Sequence, residues 1–220
     1  MANDFLQRVA DASYQHCHVM HLHSFLLQES PVVRMFFAMP QHELWKNTPH
    51  HPWSLAFHTH RTDITLEPLM GEVTNVLAGY YAPGTRQALG GIPAKGFRWD
   101  SKIRGGVGGF VPKNTSGVLN LFKGEKLEWP TSLSGAQLHT IHVPQGQIAA
   151  WLVHEHSQVS GFSSVAYSNM DLLEFSSDGM YLPVTRNLVQ ACFRQLPAHV
   201  SDTLMLRYAA SPQPESETTP

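Results

Sequence analysis

The sequence predicts an all-β fold, a sandwich or barrel of short antiparallel strands. Three observations predict it. Extended runs rich in alternating, β-branched or aromatic residues recur between weak turn signals. No helical pattern long enough to act as a βαβ crossover separates them, and convincing helical spacing is confined to the two ends. At 220 residues the chain exceeds the ~150-residue prior for a domain, yet all-β domains reach ~200–250 residues as one unit. No repeat or linker divides it, so one domain over 1–210 is expected, its β core over about 16–180.

Element by element, Asn3-Asp4 followed by Phe5, Leu6, Val9 and Ala10 provides a cap and i, i+4 apolar spacing, which predicts a short packing helix. HCHVMHLHSFLLQ, from His16 to Gln28, reads as a strand that splits its histidines between two faces. PVVRMFFAM, closed by Pro40, reads as another. SLAFHTHRTD, TLEPLMG and EVTNVLAGYY continue the pattern, punctuated by Gly71 and Gly79. The glycine-rich middle (GGIPAKG, RGGVGG) leads into no helix, so it fails as a dinucleotide-binding fingerprint and reads as hairpin turns and loops. Lys123-Gly124 sits between apolar flanks as a hairpin turn would, and AQLHTIHV, Pro144-Gln145-Gly146 and QIAAWLVHEH read as one further hairpin. Thr185 can cap a helix through Leu196, and Ser201 a shorter one through Tyr208, giving C-terminal helices over about 185–209. The tail, 211–220, has the composition of a disordered segment.

Composition narrows the function classes. Fifteen Lys plus Arg against seventeen Asp plus Glu give a net charge of -2 with no basic run, which argues against a nucleic-acid partner. Apolar runs are broken well before the ~18 residues that span a bilayer, so no membrane segment is expected. The two cysteines, Cys17 and Cys192, are too few for a disulfide scaffold and read as small buried hydrophobes. With no basic-then-apolar leader at the start, a cytoplasmic location is the expectation. Fourteen histidines against six lysines point instead to metal binding or proton transfer.

His58 and His60, in FHTHRTD, are one residue apart, so on a strand both rings face the same way with attachment points about 7 Å apart. Such a pair can chelate one ion. A third ligand must come from another strand, from His139 or His142 in AQLHTIHV or from His154 or His156 in WLVHEHS. Residues 139 and 142 differ by an odd number, so only one of them can join the pair's face. Three neutral imidazoles leave open positions on the ion, which a catalytic site needs. They suit Zn, Fe, Ni or Cu. The group His16, His18, His21 and His23 is split by the same parity into two incomplete pairs, one of which can still line the barrel mouth, while His42, His50, His51 and His199 read as surface residues. Phe57 and Trp151 alternate with candidate ligands and are expected to fill the opposite, core-facing side. Tyr80, Tyr81, Arg61 and Arg98 are pocket candidates by proximity alone.

These residues resemble the cupins, small jelly-roll barrels with an H-x-H motif, a Glu and then a Gly, and a second motif with a single His. His58, His60 and Gly71 stand at matching places, and His139, preceded by Gly135, matches the lone His. The Glu slot holds Ile64 or Thr65, with Glu67 too late. That departure is similar to the three-histidine subgroup of cysteine dioxygenase and related thiol dioxygenases. The resemblance implies a cupin-like barrel, one divalent metal ion per chain held by His58, His60 and His139, with Fe(II) favoured and Zn or Ni as alternatives, and a dioxygenase-like reaction on a small-molecule substrate. It also implies catalytic roles for Arg34, as a carboxylate clamp, and for His154, with His156 standing where the subgroup has a Tyr. Barrels of this kind often pair, so a homodimer is expected. Two other readings stay open: a non-redox metal-dependent lyase, isomerase or hydrolase, and a barrel that binds a ligand without turnover.

Overall fold

The computed structural model describes residues 2–47, 57–100, 109–122, 124–158, 164–168 and 181–209. Among them, two seven-stranded antiparallel sheets carry the fold. The first runs in the order β10 (Thr131–Leu133), β5 (Thr62–Met70), β12 (Ala149–Gln158), β3 (Val32–Ala38), β2 (Leu22–Glu29), β1 (Tyr14–Gln15) and β14 (Leu182–Pro183). The second runs β11 (His139–His142), β4 (Phe57–His58), β13 (Val165–Ser168), β7 (Ile92–Asp100), β8 (Gly109–Leu121), β6 (Thr74–Tyr81) and β9 (Glu125–Lys126). An additional β11–β6 pairing joins β11 to both β4 and β6. From β3 to β6 and again from β9 to β13, the chain changes sheet at each connection. The site residues therefore arrive from segments far apart in sequence.

Alternation along the strands sorts the side chains of the first sheet. On its outer face, Val33, Met35 and Phe37 of β3 join Ala150 and Leu152 of β12 under the helices. On its inner face, Trp151 and Val153 join Ile64 and Leu66 of β5, with Phe36 packed against them. The helices are α1 (Ala2–Asp11), α2 (Arg186–Phe193) and α3 (Ala198–Tyr208). At 10 residues, α1 is too short to hold itself together in water. Burial of Phe5, Leu6 and Val9, at ~1.5–3 kcal/mol for each large apolar side chain, accounts for its place. Thr185 caps α2 as expected, its hydroxyl accepting from the Leu188 N–H at 3.2 Å. α3 begins at Ala198 rather than after Ser201, with Pro197 at its N-cap.

Several sequence expectations are corrected. The strand expected from His16 begins only at Leu22, because His16, His18 and His21 adopt left-handed backbone, with φ of 56°, 63° and 62°. His60 lies just beyond β4 rather than on a strand. The glycine-rich middle, read as hairpin turns and loops, contributes the long antiparallel pair β7–β8. The residues flanking Lys123 continue in one direction along β6, with Ala78 opposite Leu121 and Thr74 opposite Lys126, so no hairpin forms there. β11 and β12 lie in different sheets, and the turn at Pro144-Gly146 crosses between them. His42, expected at the surface, is 1% exposed. Its Nδ1 accepts the Leu44 N–H and its Nε2 donates to the Gln147 carbonyl, tying a short 3-10 turn to that crossing. Trp151, stacked on Phe36 in the inner core, and Phe57, packed on the other face of the second sheet, both lie core-side and opposite the histidines they alternate with, as expected. Pro49, Pro52, His50, His51, the RGGVG stretch of 104–108 and the 211–220 tail lie outside the described residues.

Candidate metal centre

His58 ends the two-residue strand β4 and points inward because its neighbour Phe57 fills the opposite core. His139 opens β11 directly between two partners, opposite His58 on one side and Leu77 on the other. His60 is set by backbone. Its N–H donates to the Gly135 carbonyl at 2.8 Å, while the Gly135 N–H donates to Asp63 Oδ1 at 2.8 Å. A Cβ at position 135 would stand 2.4 Å from the Thr62 carbonyl oxygen, so this approach requires glycine.

The three expected ligands come together. One ligand atom from each of His58, His60 and His139 lies within 4.8 Å of the others, and the ring centroids are 4.9, 4.9 and 5.1 Å apart. The Nε2 atoms of His60 and His139 are 2.9 Å apart. Two nitrogens at right angles around one ion, with metal–nitrogen bonds of ~2.0–2.1 Å, stand ~2.9 Å apart, so this pair fits a shared metal. The group can hold an ion.

Its surroundings prepare it for that task. Asn75 of β6 is 4% exposed, and its Oδ1 accepts the Nδ1–H of His139 at 2.8 Å. That bond fixes the tautomer and leaves Nε2 bare toward the cluster. Burial, reinforced by neighbouring imidazoles, holds His60 and His139 well below the ordinary histidine range. Both are therefore neutral near pH 7, the form that ligates metal. Ile64, in the slot where a cupin Glu would stand, is wholly buried in the inner core. No carboxylate belongs to the three-residue group.

Two cavities meet at the cluster. One, of about 440 Å³, takes in the charged side chains Arg34, Arg61 and Glu155 together with Tyr181. The other, of about 70 Å³, is walled chiefly by Leu22, Leu44, Leu66, Ile141 and Trp151. His18, His58 and His60 line both, and His139 lines the small one. Arg34 thus reaches the larger cavity, with its Nε 3.8 Å from Glu155 Oε1. Burial raises the Glu155 carboxyl, and Arg34 partly offsets that.

His154 and His156 do share a face, as their spacing requires, but it is the outer one. Trp151 and Val153 point inward, so residues an odd number of strand positions away cannot. His154 Nε2 lies 2.8 Å from Glu67 Oε2, and His156 Nε2 lies 2.8 Å from Thr65 Oγ1. Neither joins the cluster. His142, the other histidine of β11, is half-buried beyond it.

Three residues at the site carried no usable sequence signal. Asn75 sits in an ordinary strand. Tyr181 donates or accepts through its hydroxyl at 3.1 Å from His18 Nδ1. Strand parity leaves His18 in an incomplete pair, yet its ring stacks on His58 at 5.2 Å and 19°, and burial lowers its pKa to about 3. The Val19 N–H donates to the Cys17 carbonyl at 2.7 Å across His18, a three-residue turn whose positive φ marks the rarer, strained kind. Cys17 beside it is buried, its thiol pushed up to about 12, in keeping with an inert small hydrophobe.

No family model matches the chain, and no curated protein matches it. Among solved structures, the X-ray structure of E. coli ycfD aligns with 86% of this chain and 34% of its own at 13% identity and a TM-score of 0.18. The chain spans about a third of that protein's length.

Proposed function

We propose that this protein is a mononuclear metal-dependent enzyme of cupin-like jelly-roll architecture, an oxygenase using Fe(II) on a small-molecule substrate. The observation that carries this reading is the convergence of His58, His60 and His139 within 4.8 Å, at the meeting of a cavity bearing charged side chains and an apolar one. The strand orders β3-β12-β5-β10 and β4-β11-β6-β9, built by a chain that keeps changing sheet, support a two-sheet jelly roll. A bound ferrous ion would supply open coordination positions and redox chemistry, whereas zinc or nickel would supply Lewis-acid chemistry alone.

The chain's own residues have separable tasks. His58, His60 and His139 hold the ion, and Asn75 orients His139. Arg34 and Arg61 place positive charge in the larger cavity, where a polar substrate binds. Phe36, Trp151 and Leu66 keep water from the cluster's apolar side. Three imidazoles, with no carboxylate in the group among the described residues, favour a site that keeps vertices for both substrate and co-substrate.

Elemental analysis of protein purified without added metal tests this. The wild type is expected to carry about one transition-metal ion per chain, and His58→Ala and His139→Ala to lose it. Equal, substoichiometric metal in all three contradicts the reading. Turnover that persists without oxygen and with zinc in place of iron would move the site to hydrolase, lyase or isomerase chemistry.

A further inference from the structure

The small cavity poses its own question, because a substrate large enough to use the 440 Å³ space cannot also enter one of about 70 Å³. That volume has room for a few water molecules, but a buried water needs two to four polar partners. The walls offer few. Leu66 is 1% and Trp151 2% exposed, both inside the same core cluster. Apart from the imidazoles of His18 and the three candidate ligands, the polar side chains on the wall are Asn47 and Thr140, hydrogen-bonded to each other at 3.0 Å, and Asn47 Nδ2 also donates to the Ile141 carbonyl at 2.7 Å. All three candidate ligands line this space.

We infer that the small cavity is a separate binding pocket for an apolar guest of dioxygen size, held against the three histidines while the polar substrate occupies the larger cavity. This rests on the oxygenase reading and deepens it. His18 and Phe36, whose rings stack nearly parallel at 6.4 Å, stand where the cavities abut and keep the two guests apart. An apolar pocket that water does not fill concentrates an apolar gas without competition from solvent, just as engineered apolar cavities take up xenon. The pocket therefore sets the affinity for the gaseous reactant, and the arginine-bearing cavity sets specificity for the other.

Xenon is the probe, read by the 129Xe chemical shift on metal-free and metal-loaded protein, with metal content measured on the same samples. A saturable xenon-induced shift is expected in the wild type. Leu66→Phe fills the space and abolishes the shift while retaining metal, and Leu66→Ala enlarges the space and strengthens it. The Ala variant keeps the test valid if the Phe variant does not fold. Wild-type protein that holds metal but shows no saturable shift overturns the pocket and leaves the metal reading standing, as does xenon uptake unchanged in both variants. Wild-type protein without metal overturns the oxygenase reading itself, and the dioxygen assignment with it.

Discussion

The molecule has two histidine-rich regions, and only one of them is arranged as a metal centre. In the turn of residues 16–23, His16 lies 5.3 Å from His21 and 5.7 Å from His23 between ring centroids, hardly farther than the rings of the cluster. Two of its ring nitrogens are taken up by local contacts instead. His16 Nδ1 accepts the His21 N–H at 2.9 Å, and His18 Nδ1 meets the Tyr181 hydroxyl. Around His139, by contrast, Asn75 takes the Nδ1 side and leaves Nε2 toward two other imidazoles. Among the described residues, His58, His60 and His139 make the group whose ligand atoms converge. Density of histidine does not make a site; the partner on each ring's second nitrogen decides what the first is available for.

The largest effect that sharpens this contrast is expected at Asn75. Asn75→Ala removes the bond that orients His139 and lowers metal affinity by ~10–100-fold, the range for such outer partners; metal titration under competing chelator measures it. The same range of loss after His16→Ala would erase the distinction between the regions.

Next comes pH. His18, His60 and His139 are held neutral by burial, with pKa values below the unfolded value of about 6.5. Below that value the unfolded chain binds protons that the folded chain does not, so stability falls as pH drops from about 6.5 toward the folded values, for His18 about 3. Above pH 7 these groups contribute no pH dependence. Thermal unfolding of metal-free protein from pH 7.5 down to 4.5 should show a falling Tm, and a Tm that rises over that range would contradict the burial of these rings.

A smaller effect tests the strained turn. His18→Asn keeps a residue that tolerates φ of 63°, whereas His18→Val places a β-branched side chain there, so Val should cost ~1–2 kcal/mol more in denaturant unfolding. Equal costs would mean that the turn relaxes. The smallest effect belongs to His156→Ala on the exposed outer face, within ~0.5 kcal/mol in stability and without change in metal content.

How much of this was legible in the sequence depends on where alternation holds. The β class follows from period-two patterning, the end helices from i, i+4 spacing and their caps, and the grouping of His58, His60 and His139 from the resemblance to the cupin motif. Parity arguments failed where the backbone leaves the strand. His18 reaches the site through a left-handed turn, which the formula of alternating faces cannot represent. His154 and His156 failed differently: their shared face was right, but nothing local says which face of β12 meets the helices, because Ala150 and Leu152 are as apolar as Trp151 and Val153. Asn75 was silent because its role arises only when β6 and β11 pair.

X-ray absorption spectroscopy at the edge of the metal that copurifies tests the central claim most directly. The account predicts a first shell with imidazole nitrogens at ~2.0–2.1 Å, about three per ion, reduced in His139→Ala and unchanged in His154→Ala. A shell dominated by sulfur, or one that persists when His58, His60 and His139 are all replaced, would contradict it.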